Sequence, residues 1–509
     1  MPHRYLGTFP VDDNDLALVR ATHPPRWRNP EPDGPYDLVV IGAGPAGLTA
    51  AREAAALGAR VALVERDLIG GVSLKAGGVP SKALIRTSRL YADLRDAENF
   101  GADPPKRIPV DFSHAMTRMR RVRQRIGHAD SAANLTGAGI DVHFGEALFT
   151  GRNSLDVAGR NLSFAKALIA TGARASLPPI PGLAEAGYLS NETVFDLVEC
   201  PKRLLVIGGG PLGCEAAQAF CLLGAHVILA QRDPMFLPGE ERDAAQVLSD
   251  ALAREGVEVR LNTEVVAVHA RDGRKFADLV RDDETITIEV DEIITGIGRS
   301  PNVENLGLDA ADVAYDASGI TVNDHLQTTN EHIFAAGDVC LKHKFTHTAE
   351  ASARIAMRNA LFLGRLKLSE LVVPWCTYTD PEIAHVGLYP AEARRDAVPV
   401  KTYTVLMHDV PRAVMDGEED GFVKVHVREG SDHILGATVV ATHAGEMINA
   451  VSLAIAADMG LHALADVIHP FPTQAQGIKM AGDAYRKAKL TSLRSRLGKR
   501  WPRGTTDKA

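Results

Sequence analysis

Apolar residues in this chain gather into short runs that break at glycine-rich turns. Tyr36-Asp37-Leu38-Val39-Val40-Ile41 reads as a buried strand and leads into Gly42-Ala43-Gly44-Pro45-Ala46-Gly47. An alanine-rich stretch to about Leu57 is predicted as a helix, Gly58 stops it, and Arg60-Val61-Ala62-Leu63-Val64-Glu65 is a second strand. The pattern returns from Arg203: a strand over 204–207, Gly208-Gly209-Gly210-Pro211-Leu212-Gly213, a helix to about 223, Gly224, and a strand over 226–230. Each is a βαβ unit with its glycines between strand and helix. Such glycines permit the tight turn and the close approach of a pyrophosphate, and the helix N-terminus stabilises its charge. Two nucleotide sites are therefore expected, through Gly42, Gly44 and Gly47 and through Gly208, Gly210 and Gly213.

The ends of the second strands separate the two ligands. Glu65 supplies a carboxylate that can accept both ribose hydroxyls of an adenosine. The equivalent place in the second unit is Gln231, followed by Arg232. Losing a carboxylate and gaining a guanidinium favours a 2′-phosphate, so NADPH is expected there, with NADH as the alternative.

Composition narrows the class further. A chain of 509 residues with 45% apolar and 24% charged residues is long enough for roughly three to four cored domains. A net charge of −8 implies no general affinity for nucleic acid. Five cysteines (Cys200, Cys214, Cys221, Cys340, Cys376) form no CxxC or CxxxxC pair, and no metal-ligand spacing stands out among the histidines. There is no run of 18 apolar residues and no hydrophobic signal core, so a soluble, cytoplasmic protein is expected. Residues 1–34, rich in proline and polar side chains, read as an extended arm over the first domain.

Further segments occur in a telling order: Gly70-Gly71…Val79-Pro80-Ser81-Lys82, Ala170-Thr171-Gly172-Ala173, Gly296-Ile297-Gly298-Arg299-Ser300-Pro301-Asn302, Ile333-Phe334-Ala335-Ala336-Gly337-Asp338-Val339, Tyr378-Thr379-Asp380-Pro381-Glu382 and His469-Pro470-Phe471-Pro472-Thr473. Over about 36–486 the chain resembles the FAD-dependent pyridine nucleotide–disulfide oxidoreductases, and its last part looks most like the mercuric-reductase-like members. The resemblance implies an α/β fold: two Rossmann-like three-layer domains, for FAD and NAD(P), plus an α+β C-terminal dimerisation domain. It implies an FAD domain over 35–181 and 303–372, an NAD(P) domain over 182–302, a dimerisation domain over 373–486, and a homodimer, and it leaves the arm over 1–34 and a basic tail over 487–509 outside it. By the same resemblance Gly71, Ser81, Lys82, Thr171, Gly172, Gly298, Arg299, Gly337 and Asp338 join the cofactor-binding set. Asp338 would hydrogen-bond the ribityl chain, and Lys82, paired with Glu215, would sit by the flavin N5.

The departures from the family carry the functional reading. Its redox segment, G-G-T-C-L-N-x-G-C-x-P-S-K, becomes Gly70-Gly71-Val72-Ser73-Leu74-Lys75-Ala76-Gly77-Gly78-Val79-Pro80-Ser81-Lys82, so Ser73 and Gly78 stand where both cysteines belong. Thiol–disulfide exchange needs a thiolate, which neither residue supplies. In the family's H-P-x-P-T-x-x-E, His469 remains but Gln476 replaces the glutamate that would orient it. The carboxy-terminal cysteine pair of mercuric reductase is also missing. The expected activity is that of an NAD(P)H-dependent flavoprotein passing electrons from flavin directly to a small-molecule acceptor such as a quinone. The alternatives are transhydrogenation between nicotinamides, or a catalytically silent FAD-binding structural or redox-sensing protein. Lys82, Glu215 and His469 are the candidate catalytic residues.

The tail adds one more expectation. From Arg486 to Ala509 there are nine basic residues and one acidic residue, Asp507, and Leu490, Leu493, Leu497 and Trp501 share one helical face before Pro502. A basic amphipathic tail of this kind could lie on an anionic membrane, or pack its apolar stripe on the dimerisation domain with its charges in water.

Overall fold

The computed structural model describes residues 11–105, 108–362 and 364–496, the last five as backbone only. The chain forms two compact units. One runs up to Phe236 and resumes over Leu252–Leu371; the other joins Leu237–Ala251 to the chain from Val372 onward.

In the first unit, five parallel strands lie in the order Ile140–Phe144, Val61–Glu65, Tyr36–Ile41, Arg160–Ile169, Ile333–Ala335. Strand Arg160–Ile169 serves two sheets. Its second half lies between the parallel neighbours, while its first half pairs antiparallel with Ser154–Val157, which pairs with Ala147–Gly151. The parallel strands are buried on both faces and so carry continuous apolar runs. Helix Pro45–Ala56 is rich in alanine because it packs closely on helix Thr346–Leu361: Ala46, Ala50, Ala51 and Ala54 are buried together with Ala349, Ala353, Ala356 and Ala360.

The second nucleotide unit repeats this plan. Parallel strands lie in the order Glu258–Arg260, His226–Ala230, Arg203–Ile207, Glu292–Thr295, and a three-stranded antiparallel meander (Glu264–Arg271, Arg274–Arg281, Glu284–Val290) precedes the last of them. The repeat thus extends beyond the two glycine turns. The chain leaves the first plan at Ala173–Ala175 and returns at Arg299–Pro301, and these two short strands pair antiparallel.

The C-terminal unit holds a five-stranded antiparallel sheet in the order Pro374–Thr377, Glu382–Gly387, Ile434–Ala441, Phe422–Arg428, Val400–Leu406. Helices Ala444–Ala456, Leu461–Asp466 and Gln476–Arg496 accompany it. Segment Leu237–Ala251 is tied into this unit by Glu240, which accepts from Tyr389 Oη at 2.6 Å and Trp375 Nε1 at 3.1 Å, and by Glu241, 3.2 Å from Lys424 Nζ.

The expected extended arm needs correction. Residues Asp13–Thr22 form a helix, because Asp12 caps it by accepting from the Asn14 and Asp15 amides, and Leu18 and Val19 bury one face. Beyond that helix the chain lies on the strand Ile140–Phe144: Trp27 Nε1 donates to the Val142 carbonyl and Asn29 Nδ2 to the Phe144 carbonyl. In the tail, Leu490 is exposed, while the side chains of Leu493, Leu497 and Trp501 lie outside the described residues. Among the described residues no helix is long and apolar enough to cross a membrane.

Candidate functional site

Both glycine turns are set by crowding against backbone. A methyl group on Gly47 would lie 1.8 Å from the Gly42 carbonyl oxygen, and one on Gly213 would lie 1.9 Å from that of Gly208. Gly42 and Gly208 also hold φ values of 100° and 103°, which favour glycine. Gly44 and Gly210 are the N-caps of the following helices and offer no capping side chain, so the first-turn amides remain available to an anion.

Glu65 is buried at the end of its strand. Its Oε2 accepts the Ala43 amide at 2.7 Å and its Oε1 the Asp67 amide at 2.8 Å, so each oxygen keeps a lone pair for a ribose hydroxyl. Gln231 occupies the matching place: its Oε1 accepts the Gly209 amide at 2.7 Å, and its Nε2 donates to Asp233 at 3.0 Å. Arg232 is exposed beside it. Asp233, absent from the residues the sequence singles out, therefore brings a carboxylate back to the site.

The structure brings Lys82 and Glu215 together, Nζ to Oε2 at 2.7 Å, with Glu215 buried in the first turns of helix Pro211–Leu222. Lys82 and Ser81 lie on helix Gly78–Asp96, where Ser81 Oγ donates back to the Gly77 carbonyl at 2.8 Å. Asp338 forms an ion pair with Arg299, 2.8 Å from Nη1, an arrangement no spacing in the chain announces. Burial pushes the Asp338 carboxyl up, against the pull of Arg299 and Lys344. Thr171 and Gly172 clamp Asn302: Thr171 Oγ1 donates to its carbonyl at 2.8 Å, and the Asn302 amide donates to the Gly172 carbonyl at 2.9 Å. Gly298 accepts from the Ser176 amide, and Gly71 backs onto Gly44, where an added methyl group would lie 2.6 Å from the Gly44 Cα. Gly337 stands between Ala46 and Ala349, which sets Asp338 beside the first glycine turn. Arg299 Nε and Thr348 Oγ1 are buried without hydrogen-bond partners among the described residues. The cradle, the spare acceptors of Glu65 and these orphaned groups fit a bound flavin dinucleotide.

At the redox-segment positions, Ser73 Oγ lies 3.0 Å from Thr346 Oγ1, and Gly78 is exposed, with nothing within 4 Å of where a Cβ would stand. The cysteines elsewhere form no disulfide among the described residues. Burial pushes the thiols of Cys200 and Cys221 up to about 11 and that of Cys340 up to about 12, and holds Cys214 well above its ordinary value. In the C-terminal unit, His469 Nδ1 faces the Val467 carbonyl at 3.0 Å, and Gln476 Oε1 is buried without a partner among the described residues. The structure thus does not join His469 to Gln476. Among the described residues there is no group of three or more His, Cys, Asp or Glu suited to a metal.

The fold and the sequence have counterparts among known proteins. The family model for pyridine nucleotide-disulphide oxidoreductases matches residues 36–354, and that for their dimerisation domain matches 373–481. Mercuric reductase of Shigella flexneri is 34% identical over 462 residues, covering 89% of this chain and 81% of its own. Dihydrolipoyl dehydrogenase of Thermus scotoductus is 34% identical over 468 residues, covering 90% and 99%. Among solved structures, LpdA from Mycobacterium tuberculosis superposes with a TM-score of 0.80 at 27% identity, covering 88% of this chain and 99% of its own. The HOCl-induced flavoprotein disulfide reductase RclA from Escherichia coli gives 0.79 at 28%, covering 88% and 99%. Members of this family bind FAD and NAD(P)H, and the dimerisation domain supports a homodimer. The chain belongs to the pyridine nucleotide-disulphide oxidoreductase family.

Proposed function

We propose that this oxidoreductase passes electrons from NAD(P)H through FAD directly to a small planar acceptor such as a quinone, with no disulfide relay. The observation that carries the reading is the pair Ser73 and Gly78: neither can hold a thiolate, and the space beside Gly78 is open. FAD, when bound, supplies the two-electron carrier between nicotinamide and acceptor. In net terms NADPH, a proton and a quinone become NADP⁺ and the quinol, so every electron and proton is accounted for.

The chain's own residues set the conditions. The two glycine turns and Glu65 hold the dinucleotides, and the Lys82–Glu215 pair keeps a lysine charge anchored on a buried carboxylate. Arg299 neutralises Asp338. His469, held by its own loop rather than by Gln476, is proposed as a structural histidine. NADPH is the preferred donor in this reading, through Gln231 and Arg232.

The test is anaerobic mixing of the yellow holoprotein with NADPH, followed by menadione. Flavin bleaching without a long-wavelength thiolate–flavin band, then recovery of the oxidised spectrum on adding menadione, is expected. Thiol alkylation should change neither step. Flavin that stays oxidised with both NADPH and NADH would favour a silent flavoprotein, and robust reduction of lipoamide or glutathione disulfide would overturn the direct route.

A further inference from the structure

Without cysteines at 73 and 78 the stretch between them, the end of the short helix Gly71–Lys75 and the turn that leads into helix Gly78–Asp96, has no covalent tie, yet it is firmly held. Arg123, 1% exposed on helix Phe112–Gly127, reaches two ways: Nη2 donates to Asp15 Oδ1 at 2.5 Å and Nη1 to the Lys75 carbonyl at 2.8 Å. The Lys75 side chain, 3% exposed, turns inward and pairs with Asp67 Oδ2 at 3.1 Å. Asp67 in turn donates its amide to Glu65. Asn191 Nδ2 donates to the next carbonyl, that of Ala76 at the end of helix Gly71–Lys75, at 3.1 Å. Asp15 sits on helix Asp13–Thr22, which lies outside the residues 36–354 that the family model matches.

A charge is rarely buried this deeply unless it is paired and hydrogen-bonded. Here each charge has an opposite charge beside it, although Arg123 Nε and Asp67 Oδ1 have no hydrogen-bond partner among the described residues, and the contacts form one chain from the N-terminal helix, through this segment, to the carboxylate at the first nucleotide site. We propose that the N-terminal helix is a clasp, with Asp15 and Arg123 as positioning residues that fix the acceptor-facing segment Val72–Gly78, a short helix and its exit turn, in place of a cross-link. The guanidinium is essential to it, because a planar fork holds two acceptors at once and a lysine head does not do so in the same geometry. The role of the clasp in turnover rests on the acceptor reading above; the clasp itself rests only on the contacts.

The test compares the full-length holoprotein with Arg123→Lys, which keeps a charge for Asp15 but lacks the fork, and with Asp15→Asn, which keeps the Lys75 contact but loses the anchoring charge. In both, amide hydrogen exchange over residues 72–77 should rise at least tenfold, while exchange in strand Phe422–Arg428 stays unchanged. The KM for menadione should rise severalfold while the rate of flavin bleaching by NADPH stays within twofold. Exchange over residues 72–77 that is unchanged, or that rises equally along the whole chain, would overturn the clasp. If the wild-type protein reduces no acceptor, the acceptor reading fails, and the exchange measurement still decides the clasp.

Discussion

The two nucleotide units end their second strands almost alike: Glu65-Arg66-Asp67 in the first and Gln231-Arg232-Asp233 in the second. Both arginines are exposed. An arginine is therefore no mark of a 2′-phosphate by itself, since the first unit has one in the same place. Glu65 and Gln231 also do the same structural work, each accepting a glycine-turn amide at 2.7 Å. What differs is the second atom of the side-chain head. In Glu65 it is an acceptor and takes the Asp67 amide; in Gln231 it is a donor and draws in the Asp233 carboxylate. Asp67 is left to pair with Lys75. One atom thus redirects the neighbouring aspartate, so ligand choice has to be read from the triplet rather than from one residue.

Deleting the shared feature should give the largest effects, and it should separate the units. Gly47→Ala and Gly213→Ala each push a methyl group into a backbone carbonyl that cannot retreat. The first variant should be isolated colourless. The second should stay yellow, with flavin reduction by NADPH slowed at least ~100-fold, the scale of about 3 kcal/mol. A Gly213→Ala protein reduced at the wild-type rate would break the assignment of the second turn to nicotinamide.

Removing the acceptor at the strand end should come next. Glu65→Ala leaves the buried Ala43 amide and the Asp67 amide without their partner, at a cost of about 1–3 kcal/mol for each group. FAD should bind roughly 100-fold more weakly, as measured by flavin release on dilution. Affinity equal to wild type would show that Glu65 only decorates the turn.

Exchanging the differing atom tests the comparison most directly. Gln231→Glu should shift the ratio of NADPH to NADH efficiency about tenfold toward NADH, near 1.4 kcal/mol. Arg232→Glu should narrow the preference less. If Arg232→Glu moves it and Gln231→Glu does not, the guanidinium is the reader after all.

The glycine turns are legible in the chain because the constraint behind them is local: strand, turn and helix are contiguous, and the crowded carbonyl is five residues away. The pairing of Arg299 with Asp338, the contact of Ser73 with Thr346, and the double grip of Arg123 on Asp15 and Lys75 are not legible. Each joins residues that only the folded chain brings together. Helix Asp13–Thr22 escapes the sequence pattern for a different reason: the prolines that follow it dominate the composition, while its signal is a single capping aspartate, Asp12, ahead of Leu18 and Val19. Lys75 carries a readable hint, being a charge inside an otherwise apolar and glycine-rich segment, but its partner Asp67 can be named only from coordinates.

The smallest expected effect contrasts two carboxylates of the first compact unit. Glu65 is buried with two amide donors, whereas Asp196, in the turn Val194–Asp196, has a buried Oδ1 with no partner among the described residues. Burial pushes the Asp196 carboxyl up to about 7, with Arg123 and Arg120 pulling it down and Asp15 pushing it up. Its folded value lies above its unfolded one, so between about pH 4 and 7 the folded state holds a proton that the unfolded state has lost. This group therefore favours folding most at low pH, and that contribution is lost as pH rises through about 7. Asp196→Asn removes the ionisation while keeping the shape. Its stability relative to wild type should be higher at pH 8 than at pH 6 by on the order of 1–2 kcal/mol, read from paired unfolding midpoints. A difference that does not change with pH would mean that Asp196 finds, in solution, the donors that Glu65 already has.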